Sequence, residues 1–419
     1  MTGDCAARTG PRTALRLIID PAFGALFWGK FMSSSGTWMH GIVAAVVIYQ
    51  LTASALMVGL VGVAQFGPQI ALSPLSGRWA DQGNPIRQML VGRLMCAIGS
   101  VSAAVSVSLS QGMSGAVTAL SVLVGTVLVG IGFVIGGPAM QSVVPKLLRA
   151  GELATAMTLN TIPLTVARVF GPATGAFLLS QLGATPAFAI SGCGHLVFAI
   201  LLVVVNFPPL KNEPRPGVDY RVRAALRYVW KDRTLLLLLV AIGVVGFGSD
   251  PSITLAPSVA AELGGRTESV GLLSAAFGTG AALGLAVLGI LRSRLSSALT
   301  SSMALWLLAI GLALVGVGHW LALAMSGFAL AGCGFSWGLT GLSTLVQSRV
   351  PDELRGRIMA LWSVGFAGAR PVAGAILGST ADLVSLRAAF LLAVTLTAMT
   401  ALLCRPGVLS RPGPVPLIR

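Results

Sequence analysis

Lys30, Arg168 and Arg370 are the basic residues that fall inside long apolar stretches, and Asp250 is the one acid that falls within or beside such a stretch. A charge set in hydrocarbon costs at least about 2.5 to 3.5 kcal/mol unless it is paired or faces water. These residues therefore either line a path or pin helices together. Arg168 and Arg370 each follow an alanine and shortly precede a P-x-x-G-A-x-L element, Pro172 to Leu178 and Pro371 to Leu377. Two arginines in matched settings could face one cavity and attract an anion or fix the state of nearby carboxylates; alternatively each bonds backbone carbonyls as a structural pin. Asp250 stands in Gly248-Ser249-Asp250-Pro251, with His40 close to its counterpart in the first half of the chain. An acid and a histidine at one depth could form a proton site. The alternative is that Asp250 caps a helix end broken by Pro251. His195 reads as a satisfied packing residue.

Positioning these groups is the work of helices in lipid. The chain has 419 residues, 55% hydrophobic and 10% charged, where a soluble domain carries about a quarter charged residues. Runs of roughly 20 apolar residues, enough to cross about 30 Å of hydrocarbon, recur at 23–49, 54–76, 88–110, 115–139, 153–180, 184–206, 234–256, 268–290, 297–317, 320–344, 357–380 and 387–404. The fold class is an all-α membrane protein of twelve helices in two pseudosymmetric six-helix halves. The repeat is visible directly. Gln141-Ser142-Val143-Val144-Pro145 returns as Gln347-Ser348-Arg349-Val350-Pro351 at an offset of 206, each followed by a Leu-Arg pair, and the P-x-x-G-A-x-L elements are 199 apart. Residues 1–20 form an N-terminal segment that lacks the apolar core of a signal peptide; 21–206 and 234–404 are the halves; 207–233 is a linker and 405–419 a tail. A repeat of this kind places a substrate site near mid-membrane, between the halves. Small residues four apart (Gly171 and Gly175, Gly280 and Gly284, Gly334 and Gly338, Gly374 and Gly378) mark either fixed helix contacts or sliding ones.

The formal charge of +15 does not point to nucleic acid, because its placement follows membrane sidedness. With the N-terminus in the cytoplasm, 23 of the 28 basic residues fall on the inner side, against Arg266 and Arg387 outside. That is the positive-inside bias of a multi-pass inner (plasma) membrane protein with both termini cytoplasmic, its charge contacting lipid headgroups. Five scattered cysteines build no disulfide or metal framework, and no phosphate-binding loop implies ATP. Three histidines far apart leave no catalytic cluster, so an enzyme is not expected; nor is a cofactor or metal. The partners expected are a small-molecule substrate, a proton as coupling ion and membrane lipid, with the chain acting as a monomer. Most tryptophans, Trp38 among them, read as interfacial anchors.

Gly77-Arg78-Trp79-Ala80-Asp81, ending at Arg87, resembles the G-x-L-A-D-R-x-G-R-R loop of the major facilitator superfamily, with Gln82, Pro85 and Ile86 where basic residues are usual. Within it, Thr52 to Ala55, Gln141 to Pro145, Asn160, Ala167 to Gly175 and Val350 to Arg357 resemble a bacterial exporter branch. That branch holds enterobactin-type siderophore exporters and macrolide efflux proteins, the transmembrane secretion effectors. The resemblance, over about residues 20–404, implies a proton-coupled exporter of a small amphipathic molecule, with a facilitator or importer of the same fold as the alternative. It also implies a gating role for Gly77, Asp81 and Arg87, with Asp81 meeting the start of the eleventh helix near Gly356. Gly171, Pro172 and Gly175 carry the core of an antiporter motif. The charge bias generates a first prediction: cysteines placed between Lys211 and Arg233 should resist an impermeant thiol reagent added to intact cells, and labelling there reverses the orientation.

Overall fold

A computed structural model describes residues 12–110, 112, 114–149, 151–207, 222–265, 267–291 and 294–411. Most of the linker, the chain ends, Arg266, Arg292 and the side chain of Asp81 lie outside the described residues. Among those described, twelve helices are long and apolar enough to cross a membrane. They are α1 (Pro21–Thr52), α2 (Ala55–Gln82), α3 (Pro85–Ser108), α4 (Gly115–Val143), α5 (Leu153–Leu182), α6 (Ala184–Val204), α7 (Arg233–Ser249, extended by Pro251–Thr254), α8 (Thr267–Leu291), α9 (Ser297–Val317), α10 (Leu321–Arg349), α11 (Asp352–Leu383) and α12 (Leu386–Leu403). Short polar residues start them. Asp20, Ser54, Asn84, Ser114, Asp232, Ser296 and Ser385 each accept backbone N–H groups of a first turn with the side chain, which satisfies donors that lipid cannot.

The helix starts reproduce the repeat. α1 and α7, α2 and α8, and α3 and α9 begin 212 residues apart; α4 and α10 begin 206 apart, and α5 and α11 begin 199 apart. One break departs from this symmetry. α1 runs unbroken for 32 residues, whereas its match stops at Ser249 and restarts at Pro251 and again at Ala256. Gly77 and Asp81 belong to the last turns of α2 rather than to a loop, and the connection to α3 is only Gly83 and Asn84.

Of the four glycine pairs, three pack helices of one half against each other. Gly171 and Gly175 press α5 onto Trp38 and Met39 of α1, Gly280 and Gly284 press α8 onto Ala329 and Cys333 of α10, and Gly334 and Gly338 meet α9 and α7. Gly374 and Gly378 differ, because they meet Gly59 and Ala55 across the halves. A Cβ on Gly59 would lie 2.0 Å from the Gly374 carbonyl oxygen, so no larger residue fits. Just beyond, Asp382 of α11 takes the start of α2. Its Oδ1 accepts from Ala55 N (2.7 Å), and its Oδ2 accepts from Leu56 N (2.9 Å) and the Ser54 hydroxyl (2.5 Å). The preceding residue, Ala53, is held in the left-handed region at φ 50°, a conformation that costs an alanine roughly 1 kcal/mol. The halves are thus clamped at the far end of the bundle, where α1 finishes.

Different ion pairs order the near end, where α1 begins. Arg12 donates to both oxygens of Glu152 (2.9 and 2.7 Å), to Asp20 (2.6 Å) and to the Leu147 carbonyl (2.9 Å). Arg12 holds the buried Glu152 carboxyl well below the usual carboxylate range, at about 2. In the second half Asp232, the match of Asp20 at 212 residues, pairs with Arg349 (2.5 and 2.9 Å). Each pair ties helices within its own half.

The far-end clamp generates the second prediction. Asp382→Ala removes three charge-assisted hydrogen bonds that join the halves, each weakened by the exposure of the carboxylate. Spin labels placed across the far end of α2 and α11 should show a longer distance population than in the parent, and an unchanged distribution removes Asp382 as a clamp.

Candidate functional site

Trp38, in the middle of α1, is the centre of the site. Its ring lies 4.8 Å from the guanidinium carbon of Arg168 and 5.5 Å from that of Arg370. A second ring backs each cation, Phe335 of α10 at 4.1 Å from Arg168 and Phe66 of α2 at 4.2 Å from Arg370. The face of an aromatic ring attracts a cation by about 0.5 to 2 kcal/mol, and a planar guanidinium suits the stacking. The local sequence arranges this. Gly171 brings α5 so close that a Cβ there would meet the Cβ of Trp38 at 2.7 Å, and Arg168 sits one turn earlier on the same helix. At the offset of 199 the position matching Arg168 is Ala367, so the two arginines are one turn apart in the repeat.

Both arginines line one cavity with Trp38, Pro172, Ile253 and Phe277, enclosing about 240 Å³ free of atoms with its open side included. The room left between the side chains is that of about one water, far short of a drug-sized ligand site. The side chains are therefore drawn together around a contracted space. Arg370 is 3% exposed, and its Nε is buried without a partner. Among the described residues neither guanidinium has a hydrogen-bond acceptor or a carboxylate at salt-bridge distance. Each carries five N–H donors. Ordinarily a pin would spend them on carbonyls, and these do not.

Asp250 is 1% exposed at the break after α7. Its Oδ2 accepts from the Thr254 hydroxyl at 2.6 Å, and a Cβ on Gly62 of α2 would lie 3.6 Å from its Oδ1. It is buried rather than facing water at a cap, and close enough to Arg370 to act on it electrostatically. The pairing with His40 is not formed among the described contacts. The ring of His40 is fully buried between Thr126 (3.0 Å), Ser100 (3.1 Å) and Phe188 inside the first half. At the offset of 212 the match of Asp250 is Trp38 itself.

Lys30 is brought not to the arginine pair but to Asn160 of α5, donating to its backbone carbonyl (2.6 Å) and side-chain oxygen (2.9 Å). Nearby is a residue counted above among the inner-side charges. Arg93 lies inside α3, 8% exposed, donating to the Ser33 hydroxyl at 2.6 Å. Its position within 88–110 was the available signal that a fourth cation lies in the membrane. His195 meets Ser33 at 2.8 Å through Nδ1, yet its buried Nε2 has no partner, so it is only half satisfied. Trp38 is 8% exposed and no anchor, whereas Trp28, Trp79, Trp230 and Trp320 are exposed. Of the residues expected to gate, Gly77 has open space beside it and Arg87 is exposed at the start of α3.

Twelve spanning helices in repeated halves, joined around a buried charged cavity, define a membrane transporter of the major facilitator type. The chain belongs to the transmembrane secretion effector family, whose model matches residues 13–410. It is 24% identical over 362 residues to the enterobactin exporter EntS of Salmonella typhi, and 24% identical over 365 residues to that of Escherichia coli O1:K1 / APEC, covering 85% of each chain in both. Its fold is that of a bacterial homologue of the human lysosomal transporter Spinster in an inward-facing, unoccupied conformation (TM-score 0.73, 15% identity, 94% of this chain and 98% of that one). It matches equally a bacterial homologue of the iron transporter ferroportin in an inward-facing state (TM-score 0.73, 16% identity, 96% and 100%). The relatives and neighbours are transporters, not enzymes.

Two like charges without acceptors lead to the third prediction. Arg168→Gln removes their mutual repulsion and a costly buried charge, so thermal unfolding of the purified protein should occur at the same temperature as the parent or higher. A large drop would mean that Arg168 is a pin.

Proposed function

We propose that the protein exports an amphipathic anion by alternating access, binding the anionic group at Arg168 and Arg370 and its apolar part against Trp38, Phe66 and Phe335. The observation that carries this reading is the pair of guanidiniums, Arg370 buried and Arg168 partly exposed, stacked on rings with no acceptor of their own among the described residues. An oxyanion would accept the unspent N–H bonds, and charge-assisted bonds of this kind are roughly twice as strong as neutral ones. The names of the relatives make enterobactin the first candidate substrate. The near end is the cytoplasmic side, and the far-end clamp at Asp382 keeps the cavity closed to the outside until the halves rock.

Asp250 is the coupling group, and the sign of its linkage follows from charge. Arg168, Arg370 and ionised Asp250 together leave one positive charge, which a single negative charge neutralises. A doubly charged anion is neutralised only when Asp250 also takes a proton. Anion and Asp250 carboxylate thus compete for Arg370, so binding of the anion favours the protonated acid. A dianion leaving with one proton carries a net charge of −1, and an interior-negative potential drives it out by about 2.3 kcal/mol per 100 mV. This is co-movement of proton and anion rather than the exchange implied by the antiporter motif.

The fourth prediction tests both parts. In inside-out vesicles an interior-positive potential should drive uptake of enterobactin or of an aromatic dicarboxylate, with Arg168→Ala or Arg370→Ala lowering it at least tenfold while membrane insertion stays intact. Affinity should tighten as pH falls from 8 to 5.5 in the parent and lose that dependence in Asp250→Asn. Uptake only into right-side-out vesicles would make the protein an importer, and tightening with rising pH would restore exchange.

A further inference from the structure

The first half carries a second set of buried cations that the arginine cavity does not use. Lys30 and Asn160 lie on α1 and α5, the helices that carry Trp38 and Arg168, in each case eight residues earlier in the chain. At 1.5 Å per residue that places them about 12 Å nearer the cytoplasmic end. Lys30 spends two of its three N–H groups on Asn160, whose amide donates in turn to the exposed Gln141 Oε1 at 3.5 Å. A polar chain therefore runs from the surface of α4 to a half-buried ammonium. Arg93 is near enough to repel Lys30. Its Nε is buried without a partner, and so is the Nε2 of the neighbouring His195. No carboxylate among the described residues pairs with either cation.

Packing alone does not require this set. At the offsets shared by the helix starts, Lys30 is matched in the second half by Ile242, Ser33 by Val245, Arg93 by Leu305 and Asn160 by Met359. The same backbone positions are filled with apolar side chains where only packing is needed. Two like charges inside a spanning bundle, without a counterion among the described residues, cost several kcal/mol, and the unsatisfied N–H groups add to that. Among the described residues nothing supplies the negative partner that these cations call for.

We propose that Lys30, with Asn160 and Arg93 beside it, is a second anion station on the cytoplasmic side, which takes a carboxylate or similar oxyanion of the substrate before it reaches Arg168 and Arg370. This rests on the reading of the substrate as an anion. The test counts sites on the purified full chain by equilibrium dialysis of radiolabelled salicylate, a planar aromatic carboxylate small enough to occupy both stations. Asn160→Asp puts a carboxylate where the amide oxygen now lies 2.9 Å from the Lys30 ammonium. It should keep or raise the unfolding temperature while lowering stoichiometry from about two to about one, and Lys30→Gln should lower it likewise. Arg168→Gln should remove the other site. Parent and Asn160→Asp binding one salicylate each, with none in Arg168→Gln, overturns the station and leaves the arginine site standing. One site in the parent that survives Arg168→Gln and vanishes in Asn160→Asp supports the station and sinks the arginine site. No binding to the parent sinks both.

Discussion

A guanidinium carried into a helix bundle without an acceptor has to be held there by what surrounds it, and the close helix packing around Trp38 serves that end. Trp38 is the shared surface on which two such groups rest. It can be shared only because Gly171 and Gly175 let α5 lie against α1 at backbone contact, so that Arg168 reaches the ring from one side. Arg370 reaches it from α11, where Gly374 and Gly378 allow the same closeness to α2. Small residues and aromatic rings are thus two parts of one device. The first remove the bulk that would separate the helices, and the second supply attraction to a cation without spending its N–H groups.

The backbone repeat and the chemistry laid on it do not coincide. Five of the six helix pairs begin at three offsets, 212, 206 and 199, yet the charged side chains have drifted. Arg168 and Arg370 are one turn apart in the repeat, Asp250 faces the position of Trp38, and Lys30 and Arg93 have apolar counterparts. Two similar halves supply the scaffold that the proposed alternating access would move. On the proposed reading a site on their axis binds one asymmetric molecule, so the side chains that touch it are free to diverge while the glycines that hold helices together are not.

The fold was legible because hydrocarbon demands it: a chain this apolar must satisfy its backbone within helices, and length, repeat and charge bias then fix their number and order. The cavity was legible only in part. Arg168 and Arg370 stand out because charge in an apolar run is costly, but their ring partners do not, since Phe66 and Phe335 look like any core phenylalanine until the helices are packed. Asp250 was read towards His40 through an approximate offset, and a strict count at 212 would have placed Trp38 opposite it. Arg93 was assigned to the inner rim because it sits near the start of its helix, although eight residues of α3 carry it about 12 Å inward. Asp382, two residues past the expected end of its span, looked like loop. Only the approach of α2 gives it three donors to accept.

That clamp sets the scale of what substrate has to do. Its three bonds go to one exposed carboxylate, so solvent weakens each of them, whereas moving a two-state equilibrium from 1:99 to 99:1 takes about 5.5 kcal/mol of differential binding. Fixed dipoles at the far end cannot provide this difference, because they are the same whether the cavity is full or empty. The cavity charge can. Empty, with Asp250 ionised, it holds one uncompensated positive charge, which is costly to seal from water on both sides; neutralised, it holds none. The energy that opens the far side therefore has to come from the closing of the near side over a neutral site. On the proposed reading an anion of the right charge is both cargo and trigger, and a neutral amphipath of the same shape would bind the rings without moving the halves.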